Sequence, residues 1–320
     1  MQTVNITLIT SNSVQMPVLA EGITLERKRA GAPACLRFSV TKDEPLSFHE
    51  GDQVRFYVEE ELVFLGFVFE KRRRYGGAIH VTAYDQMRYL KNRDTYHLNN
   101  QTAGGLVRKI GQDWNVQLGG IAETGYRLPE SVEENRPLLD MIQDALDKTA
   151  KQTGDVFVLY DDAGNLCLSH VKDMALDILI DESSIGDFDY TSTIDRDAYS
   201  AVSLHRSLGD GGTRANYEAR HPMWFERWGM LRYYARAEDG VDGMAQAENL
   251  LKQYARKTRL LRIVDAVGEI RVRGGTLLPL QLNLGDILLD QFLMVERVTH
   301  RFREDAHTME LLMVGGDFRD

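Results

Sequence analysis

The stretch from 51 to 85 most constrains the fold of this 320-residue chain. Three short runs within it place an apolar residue or glycine at every second position, and turn-forming or charged residues separate them. The alternating positions are Val54, Phe56 and Val58, then Phe64, Gly66 and Val68, then Ile79, Val81 and Ala83. Such alternation is typical of strands with one buried face. We interpret the stretch as an antiparallel meander forming most of a small β-barrel, with Gly66 at a bend or a close backbone approach.

A weaker copy of this pattern lies between residues 285 and 314. In both stretches Gly-Asp precedes a strand, and the later copy ends in a strand through Met309, Leu311 and Met313. The echo predicts a second, related barrel. The alternative is that the two β-segments are unrelated, because a Gly-Asp pair before a strand is common.

Composition and charge narrow the class of protein. Hydrophobic residues make up 43% and charged residues 27%, as in ordinary soluble globular proteins, and the length allows two or more domains. The formal net charge of -10 disfavours a generally basic surface, and we expect no sequence-specific nucleic-acid binding. Cys35 and Cys167 lack the spacing of a disulfide framework or zinc site, which favours a reduced, cytosolic folding environment. The sequence predicts neither a secretion signal nor a membrane-spanning segment.

The order of patterns along the chain predicts an α+β, β-rich fold in which the chain leaves a barrel and later returns to it. Helical spacing follows Thr102 and Pro137 and recurs before Arg256, and a linker is expected at 96–101. The predicted parts are a first β-barrel at 1–98, an α/β middle domain at 99–190, a second β-barrel made of 191–212 and 259–320, and a helical excursion at 213–258 that packs on the middle domain.

No constellation of residues predicts a catalytic, metal or cofactor site. The eight histidines lack metal-ligand spacing, and there is no Gly-x-Ser-x-Gly, Walker or Gly-x-Gly-x-x-Gly motif. Carboxylates could still form a glycosidase pair, but the run 59–61 suits a solvated hairpin turn. Asp161 and Asp162 suit turn chemistry, because the remaining ligands of a calcium loop are missing. We therefore expect no enzymatic activity, no metal and no cofactor.

Two groups of residues are candidates for contacts with partner proteins. The basic run, 71–74, could meet an acidic partner or nucleic acid, and the alternative is a plain exposed hairpin tip. The aromatic group within 224–228 could anchor an interface, and the alternative is burial against the third helix. The candidate interface residues are Arg72, Arg73, Arg74, Trp224, Phe225 and Trp228.

The order of these elements resembles the central baseplate hub proteins of contractile phage tails, especially those of Gram-positive prophages and phage-tail-like bacteriocins. More distantly, it resembles the hub part of type VI secretion spike proteins. The likeness rests on GDQVRFYV, LVFLGFVFE and IHVTAYDQMRYL near the start, LLDMIQDALDKTAKQTGDVFVLYDDAGNLCL in the middle, and GDILLDQFLMVERVTHRF with HTMELLMV near the end.

The resemblance implies a structural role. In this family two related barrels per protomer let three protomers form a ring of six barrels, which adapts a sixfold tail tube to a threefold spike. The implied partners are two further copies of the chain, the tail tube protein, the central spike protein, baseplate wedge proteins and the tape measure protein. The implied location is the bacterial host cytoplasm during assembly and then the baseplate of a phage tail or tailocin. Because the chain ends after the second barrel, we expect spike or wall-degrading activity in another polypeptide.

Two other functions remain open at this level. A tail-associated peptidoglycan hydrolase would need two carboxylates facing each other across a cleft. A carbohydrate-binding distal tail protein would need an exposed aromatic groove.

Overall fold

The computed structural model describes residues 3–41, 46–73, 75, 77–207, 214–237, 242–285, 287–303 and 306–314. The chain forms two compact units. The main unit combines Met1–Asp189 with Arg262–Asp320, and the inserted unit is Tyr190–Leu261. None of the helices in the described ranges is long and apolar enough to cross a membrane.

Seven strands form the N-terminal part of the main unit. They are β1 (Val4–Ile9), β2 (Val14–Gln15), β3 (Leu19–Lys28), β4 (Cys35–Thr41), β5 (Gln53–Val58), β6 (Glu61–Arg73) and β7 (Ala78–Tyr84). The predicted meander is β5, β6 and β7, and burial alternates along β5 as the sequence indicates. Glu59 and Glu60 turn between β5 and β6 with φ of 50° and 69°. Positive φ at both positions matches the twist of a tight hairpin.

The close backbone approach predicted at Gly66 is confirmed. A Cβ at this position would lie 2.4 Å from the Tyr84 carbonyl oxygen and 2.5 Å from the Phe64 ring. Only glycine therefore lets β6 pass this close to β7 without a shift of the backbone.

The middle of the main unit packs two helices against short strands. A 3-10 turn at Gln86–Lys91, which the sequence predicts as a short helical turn, leads into them. The elements are β8 (Arg93–Leu98), α1 (Ala103–Asp113), β9 (Leu118–Ile121), β10 (Ser131–Pro137), α2 (Leu138–Thr153), β11 (Phe157–Asp162), β12 (Asn165–His170), β13 (Ile180–Asp181) and β14 (Asp187–Thr193). Both predicted helices and the β11–β12 hairpin are confirmed. Gly154 ends α2 with φ of 78°, a left-handed cap.

The predicted linker at 96–101 is wrong, because its first residues belong to a strand. Strand β8 pairs antiparallel with β10, and its side chains Tyr96 and Leu98 are buried in the helical core. Their spacing of two residues is the signal that should have indicated a strand.

The inserted unit has a small sheet and two helices. Its elements are β15 (Ala201–Ser207), β16 (Arg214–Arg220), α3 (Pro222–Trp228), β17 (Arg232–Arg236) and α4 (Gly243–Tyr254). The strand order is β16-β15-β17, with β17 parallel to β15. The predicted third helix is confirmed as α4, whereas α3 is not anticipated by the sequence analysis.

One long sheet joins the two ends of the chain in the main unit. After the inserted unit come β18 (Thr258–Val267), β19 (Leu277–Asn283), β20 (Leu288–Arg303) and β21 (Ala306–Val314). The strand order is β14-β18-β21-β20-β3-β4-β7-β6-β5-β1-β2, and β19 pairs with β20 and β13. Strands β20 and β3 pair antiparallel, with Phe302 opposite Ile23. Phe302 also enters the core of β1–β7, where its ring lies 5.2 Å from that of Phe56. The β-rich, α+β character predicted from the sequence is confirmed.

Candidate functional site

The predicted basic run continues a strand rather than forming a loop. Lys71, Arg72 and Arg73 are the last residues of β6 and pair with Val81, His80 and Ile79 of β7. Arg72 and Arg73 are exposed, whereas Arg74 lies outside the described residues. The charged side chains of the run therefore project from the paired end of β6.

Three exposed apolar side chains lie on β2 and in the segment that follows it. Val14, on the outermost strand β2, and Met16 and Val18, between β2 and β3, are 67%, 77% and 62% exposed. The amide of Gln15 donates to the Ser47 carbonyl oxygen at 2.9 Å.

The residue after Ser47 contacts the basic run. The Lys71 ammonium donates to the Phe48 carbonyl oxygen and lies 4.4 Å from the centre of the Phe48 ring. Lys71 and Arg73 pair with the buried residues Val81 and Ile79, whereas Arg72 pairs with the exposed His80, so successive cations lie on opposite faces of the strand.

A second apolar surface lies on the strands β13, β19 and β20. Leu288 and Phe292 are 78% and 54% exposed, and Phe292 pairs with Pro279 across the strands. The exposed Asp290 stands between them on the same face of β20 and pairs with Gln281.

Acidic residues continue along this surface. Gln281 pairs in turn with Asp181 of β13, and Leu179 beside it is 49% exposed. We call this surface the acidic face. Its residues are Leu179, Asp181, Pro279, Leu288, Asp290 and Phe292. Sequence alternation predicted strands here but does not tell which face of a strand stays uncovered.

The predicted aromatic group lies on α3 in the inserted unit. The Trp224 and Trp228 rings stack with centroids 4.3 Å apart and planes at 15°. The Arg220 guanidinium lies 5.0 Å from the centre of the Phe225 ring. The His221 ring accepts the Trp224 backbone N–H and so caps the helix. None of the α3 side chains is fully buried, and the structure brings these aromatic residues together on one short helix.

A buried polar cluster connects distant segments of the main unit. The Arg27 guanidinium donates to the carbonyl oxygens of Val63 and Ile270 at 2.6 and 2.9 Å. Burial lowers the pKa of Arg27 to about 9, so the group is still charged at neutral pH. Burial raises the pKa of both Asp85 and Asp161 nearby, and repulsion from a neighbouring carboxylate adds to each shift, from Asp161 at Asp85 and from Asp162 at Asp161.

The cavity at this cluster is too small for a substrate. Its volume is about 20 Å³, and its lining includes Arg27, Asp85, Asp161 and Arg273. Such a volume holds about one water molecule. The cluster can therefore tie strands together, but it does not offer the cleft that a glycosidase needs.

Two histidines on β20 and β21 form a second buried polar contact. The Nε2–H of His300 donates to the Val272 carbonyl oxygen at 2.9 Å, so its Nδ1 accepts from Nε2 of His307 at 3.0 Å. Burial lowers the pKa of His300 well below its ordinary value and the pKa of His307 to about 4. Both rings are therefore neutral at pH 7.

A groove lies between β8 and α1 in the main unit. Its volume is about 560 Å³, and its lining residues are Asp94, Thr95, Tyr96, His97, Lys109, Asp113 and Trp114. The Tyr96 hydroxyl donates to a carboxylate oxygen of Asp113 at 2.9 Å, and burial with this hydrogen bond raises the pKa of Tyr96. Among the described residues, no group of three or more His, Cys, Asp and Glu side chains could hold a metal ion.

Known proteins resemble this chain in sequence and in fold. The "Phage-like element PBSX protein XkdQ" of Bacillus subtilis strain 168 is 28% identical over 309 residues, covering 93% of each chain. The 43 kDa tail protein of prophage MuSo2 from Shewanella oneidensis shares the fold with a TM-score of 0.69 at 14% identity, over 97% of this chain and 98% of that one.

A secretion protein shares the fold as well. The Escherichia coli c3393 protein has a TM-score of 0.57 at 9% identity, over 94% of this chain and 74% of that one. It is described as a component of the type VI secretion system with structural similarity to bacteriophage T4 tail proteins gp27 and gp5. The likeness to phage tail proteins inferred from the sequence is confirmed. The model of the YQBQ-like family matches residues 23–314, and the chain therefore belongs to the YQBQ-like family.

Proposed function

We propose that the protein is a structural component of a phage tail or tail-like particle, and within it the central baseplate hub. The observation that carries this proposal is the full-length relationship to a protein of the PBSX phage-like element. The fold shared with the MuSo2 tail protein and with c3393, which is described as similar to gp27 and gp5, supports the same role.

In this role the chain acts as a homotrimer with two related β-barrels per copy, so that three copies present six similar surfaces to a sixfold tail tube and three to a central spike. The sheet that links the N-terminal strands to β20 and β21 supports this arrangement, since it holds both ends of the chain in one unit. The domain boundaries inferred from the sequence stay a prediction.

The partners in this proposal are proteins of the particle. They are the tail tube, central spike, baseplate wedge and tape measure proteins, met during assembly in the host cytoplasm and retained in the baseplate. The candidate interface residues are available for such contacts, because Arg72 and Arg73 are exposed in the main unit and the aromatic residues of the inserted unit, Trp224, Phe225 and Trp228, are partly exposed.

Reconstitution tests the hub role directly. The purified chain is mixed with its tube and spike proteins and imaged by electron microscopy, while light scattering gives the mass of the chain alone. The expected result is a threefold-symmetric assembly that joins tube and spike. A chain that remains monomeric alone and with both partners contradicts the proposal.

The groove between β8 and α1 favours a second candidate, carbohydrate binding by a distal tail protein. Trp114 and two carboxylates line it, and aromatic rings with polar neighbours suit sugars. Titration of the chain with cell-wall glycan fragments tests this function, with Trp114→Ala as the variant that should abolish binding. A turbidity assay on cell walls tests the hydrolase alternative, for which the hub proposal expects no clearing.

A further inference from the structure

We propose that the inserted unit binds single-stranded nucleic acid, without sequence preference, on the face of its sheet that α4 leaves uncovered. This surface, which we call the open face, is made of six side chains that neighbouring strands bring together. They are His205 of β15, Glu218 and Arg220 of β16, and Arg232, Tyr234 and Arg236 of β17. Nucleic-acid binding is a further activity, independent of the structural role proposed for the chain in a particle.

One face of this sheet is covered by α4. Val202 and Leu204 of β15 are buried in the core of the inserted unit together with Ala247 of α4. Because successive side chains of a strand point to opposite faces, Ser203 and His205 point away from that helix, and both are partly exposed. The face of β15 that carries them is therefore the uncovered one.

The strand register adds charged and aromatic side chains to the same face. Ala201, Ser203 and His205 lie opposite residues of both neighbouring strands, and residues paired in this way share a face of the sheet. The partners are Asn216, Glu218 and Arg220 on β16, and Arg232, Tyr234 and Arg236 on β17. All six partners are exposed.

Two aromatic rings on the open face already form a short stack. The His205 and Tyr234 rings lie with centroids 4.9 Å apart and planes at 10°, and the Arg232 guanidinium lies 5.8 Å from the centre of the Tyr234 ring. Tyr234 is nevertheless 56% exposed. An unpaired base can therefore extend the stack, and little side-chain freedom is lost because His205 already orients the ring.

A second pair of cation and ring lies at the end of β16. The Arg220 guanidinium is 5.0 Å from the centre of the Phe225 ring on α3. Arg220 and Arg232 are both opposite Ala201, one on each side of β15, so their backbones are about 10 Å apart. Two such pairs give the open face room for about two or three stacked bases.

The charge of the inserted unit favours an anionic ligand. Residues 214–236 contain five arginines and two glutamates, and Glu218 is neutralised by an ion pair with Arg220 at 2.8 Å. Residues 190–261 carry eleven Lys and Arg against nine Asp and Glu, a net charge of +2, although the whole chain carries -10. Phosphate groups are therefore attracted to this unit in spite of the acidic chain around it.

The chemistry of the open face favours nucleic acid over an acidic protein. The core of a protein interface is apolar, whereas no exposed side chain among the described residues of the open face is aliphatic. Guanidinium groups and aromatic rings both stack on bases, and arginine also binds phosphate with two parallel hydrogen bonds. Stacking tolerates any base, so no sequence preference is expected.

Fluorescence anisotropy of a short labelled oligothymidine, titrated with the full chain at low salt, tests the platform. Tyr234→Ala should weaken binding roughly tenfold or more, because a stacked base loses its ring. Tyr234→Phe keeps the ring and should bind like the wild type. Wild-type affinity in Tyr234→Ala would overturn the proposal.

Salt dependence gives a second measurement that does not rely on the ring. Arg232→Gln should lower the slope of log affinity against log salt by about 0.7, because one phosphate contact is lost. Lys252→Gln, at an exposed position on α4, removes the same charge from the opposite side of the sheet and should leave the slope unchanged. If the melting temperature shows that Tyr234→Ala is unfolded, Arg232→Gln decides, and an unchanged slope overturns the proposal.

Two further ligands identify what the open face recognises. An abasic oligomer of equal phosphate number should bind at least tenfold more weakly than oligothymidine, and equal binding overturns the stacking of bases. A polyglutamate peptide that binds as tightly as oligothymidine also overturns the proposal, since the surface is then a site for acidic protein. A wild type that does not bind oligothymidine overturns it as well and leaves the hub role standing. Binding by a chain that does not assemble with tube and spike proteins supports the open face and removes only the hub role.

Discussion

The two compact units bury different kinds of core. The sheet core of the main unit contains large side chains from β1 to β7, including Phe38, Phe56 and Phe64, which interlock with Phe302. The described core of the inserted unit has five fully buried hydrophobic residues, and three of them are alanines. Because stabilisation follows the apolar area removed from water, the inserted unit should be the less stable of the two.

The largest expected effect comes from emptying the sheet core. Phe56 is 0% exposed, so Phe56→Ala should lower the free energy of unfolding of the main unit by about 3 to 5 kcal/mol. Urea denaturation measures this loss. The matched control is Phe292→Ala, at an exposed position, which should cost less than about 0.5 kcal/mol in the monomer. Equal losses of unfolding free energy at the two positions would mean that burial of Phe56 in the sheet core does not stabilise the main unit more than the exposed Phe292 does.

A smaller loss is expected from the core of the inserted unit. Leu204 is 1% exposed, but its small neighbours can collapse around a cavity, so Leu204→Ala should cost about 2 kcal/mol. Hydrogen exchange should show faster opening of residues 190–261 and unchanged protection in the main unit. Leu251→Ala, at a partly buried site on α4, is the control and should cost less. Equal acceleration in both units would mean that they unfold together.

Acid should weaken the main unit through its buried histidines. The folded-state pKa of His307, about 4, is below its ordinary value of 6.5, so the unfolded state takes up its proton first as pH falls. Stability is therefore lost between pH 6.5 and about 4. His307→Gln should therefore lose about 1 to 2 kcal/mol less unfolding free energy than the wild type over this pH range. This value is smaller than the full pKa difference would give, because solvent screens the partly exposed ring.

Asp85 and Asp161 have raised pKa values, so through these two groups a fall in pH stabilises the folded state. Both groups are present in the variant and in the wild type, so their effect cancels when the two pH profiles are compared. Denaturant midpoints at a series of pH values measure the effect. Parallel pH profiles for the two proteins would contradict the assigned burial of His307.

The smallest effect concerns a single helix start in the inserted unit. The Asp242 carboxylate accepts the Met244 and Ala245 backbone N–H groups at 2.8 and 3.4 Å. Asp242→Ala should cost about 1 kcal/mol, because two N–H groups of α4 lose their partner. Glu248→Ala, on the exposed side of the same helix, is the control. Far-ultraviolet circular dichroism during thermal unfolding measures the difference, and a loss no larger than that of the control would argue against the cap.

Local patterns predicted much of the fold. Alternation of apolar and polar residues identified β5, β6 and β7, because each of these strands has one buried face. The apolar stripe formed by Leu138, Met141 and Ile142 identified α2. The helix α3 was missed because its stability depends on a local cap at His221 and on ring stacking rather than on an apolar stripe. The pairing of β20 with β3 could not be predicted, since it joins residues about 270 positions apart in sequence.

The candidate surfaces were only partly predictable. The basic run is visible as consecutive cations, but its place at the end of β6 follows from pairing with β7. Val14 and Phe292 read in the sequence like core residues, because alternation marks a face without telling what covers it. The polar cluster around Arg27 was missed for a similar reason, since its partners come from segments far apart in the chain.

The position of Phe302 has a consequence for synthesis on the ribosome. The N-terminal strands emerge early, yet the ring that packs against Phe56 and the strand that covers β3 are translated among the last residues. Until then the nascent chain holds an unfinished sheet with an open flank at β3, a state prone to wrong pairing between neighbouring chains on one message. Premature termination before Phe302 should therefore yield aggregates that chaperones retain rather than a truncated soluble domain.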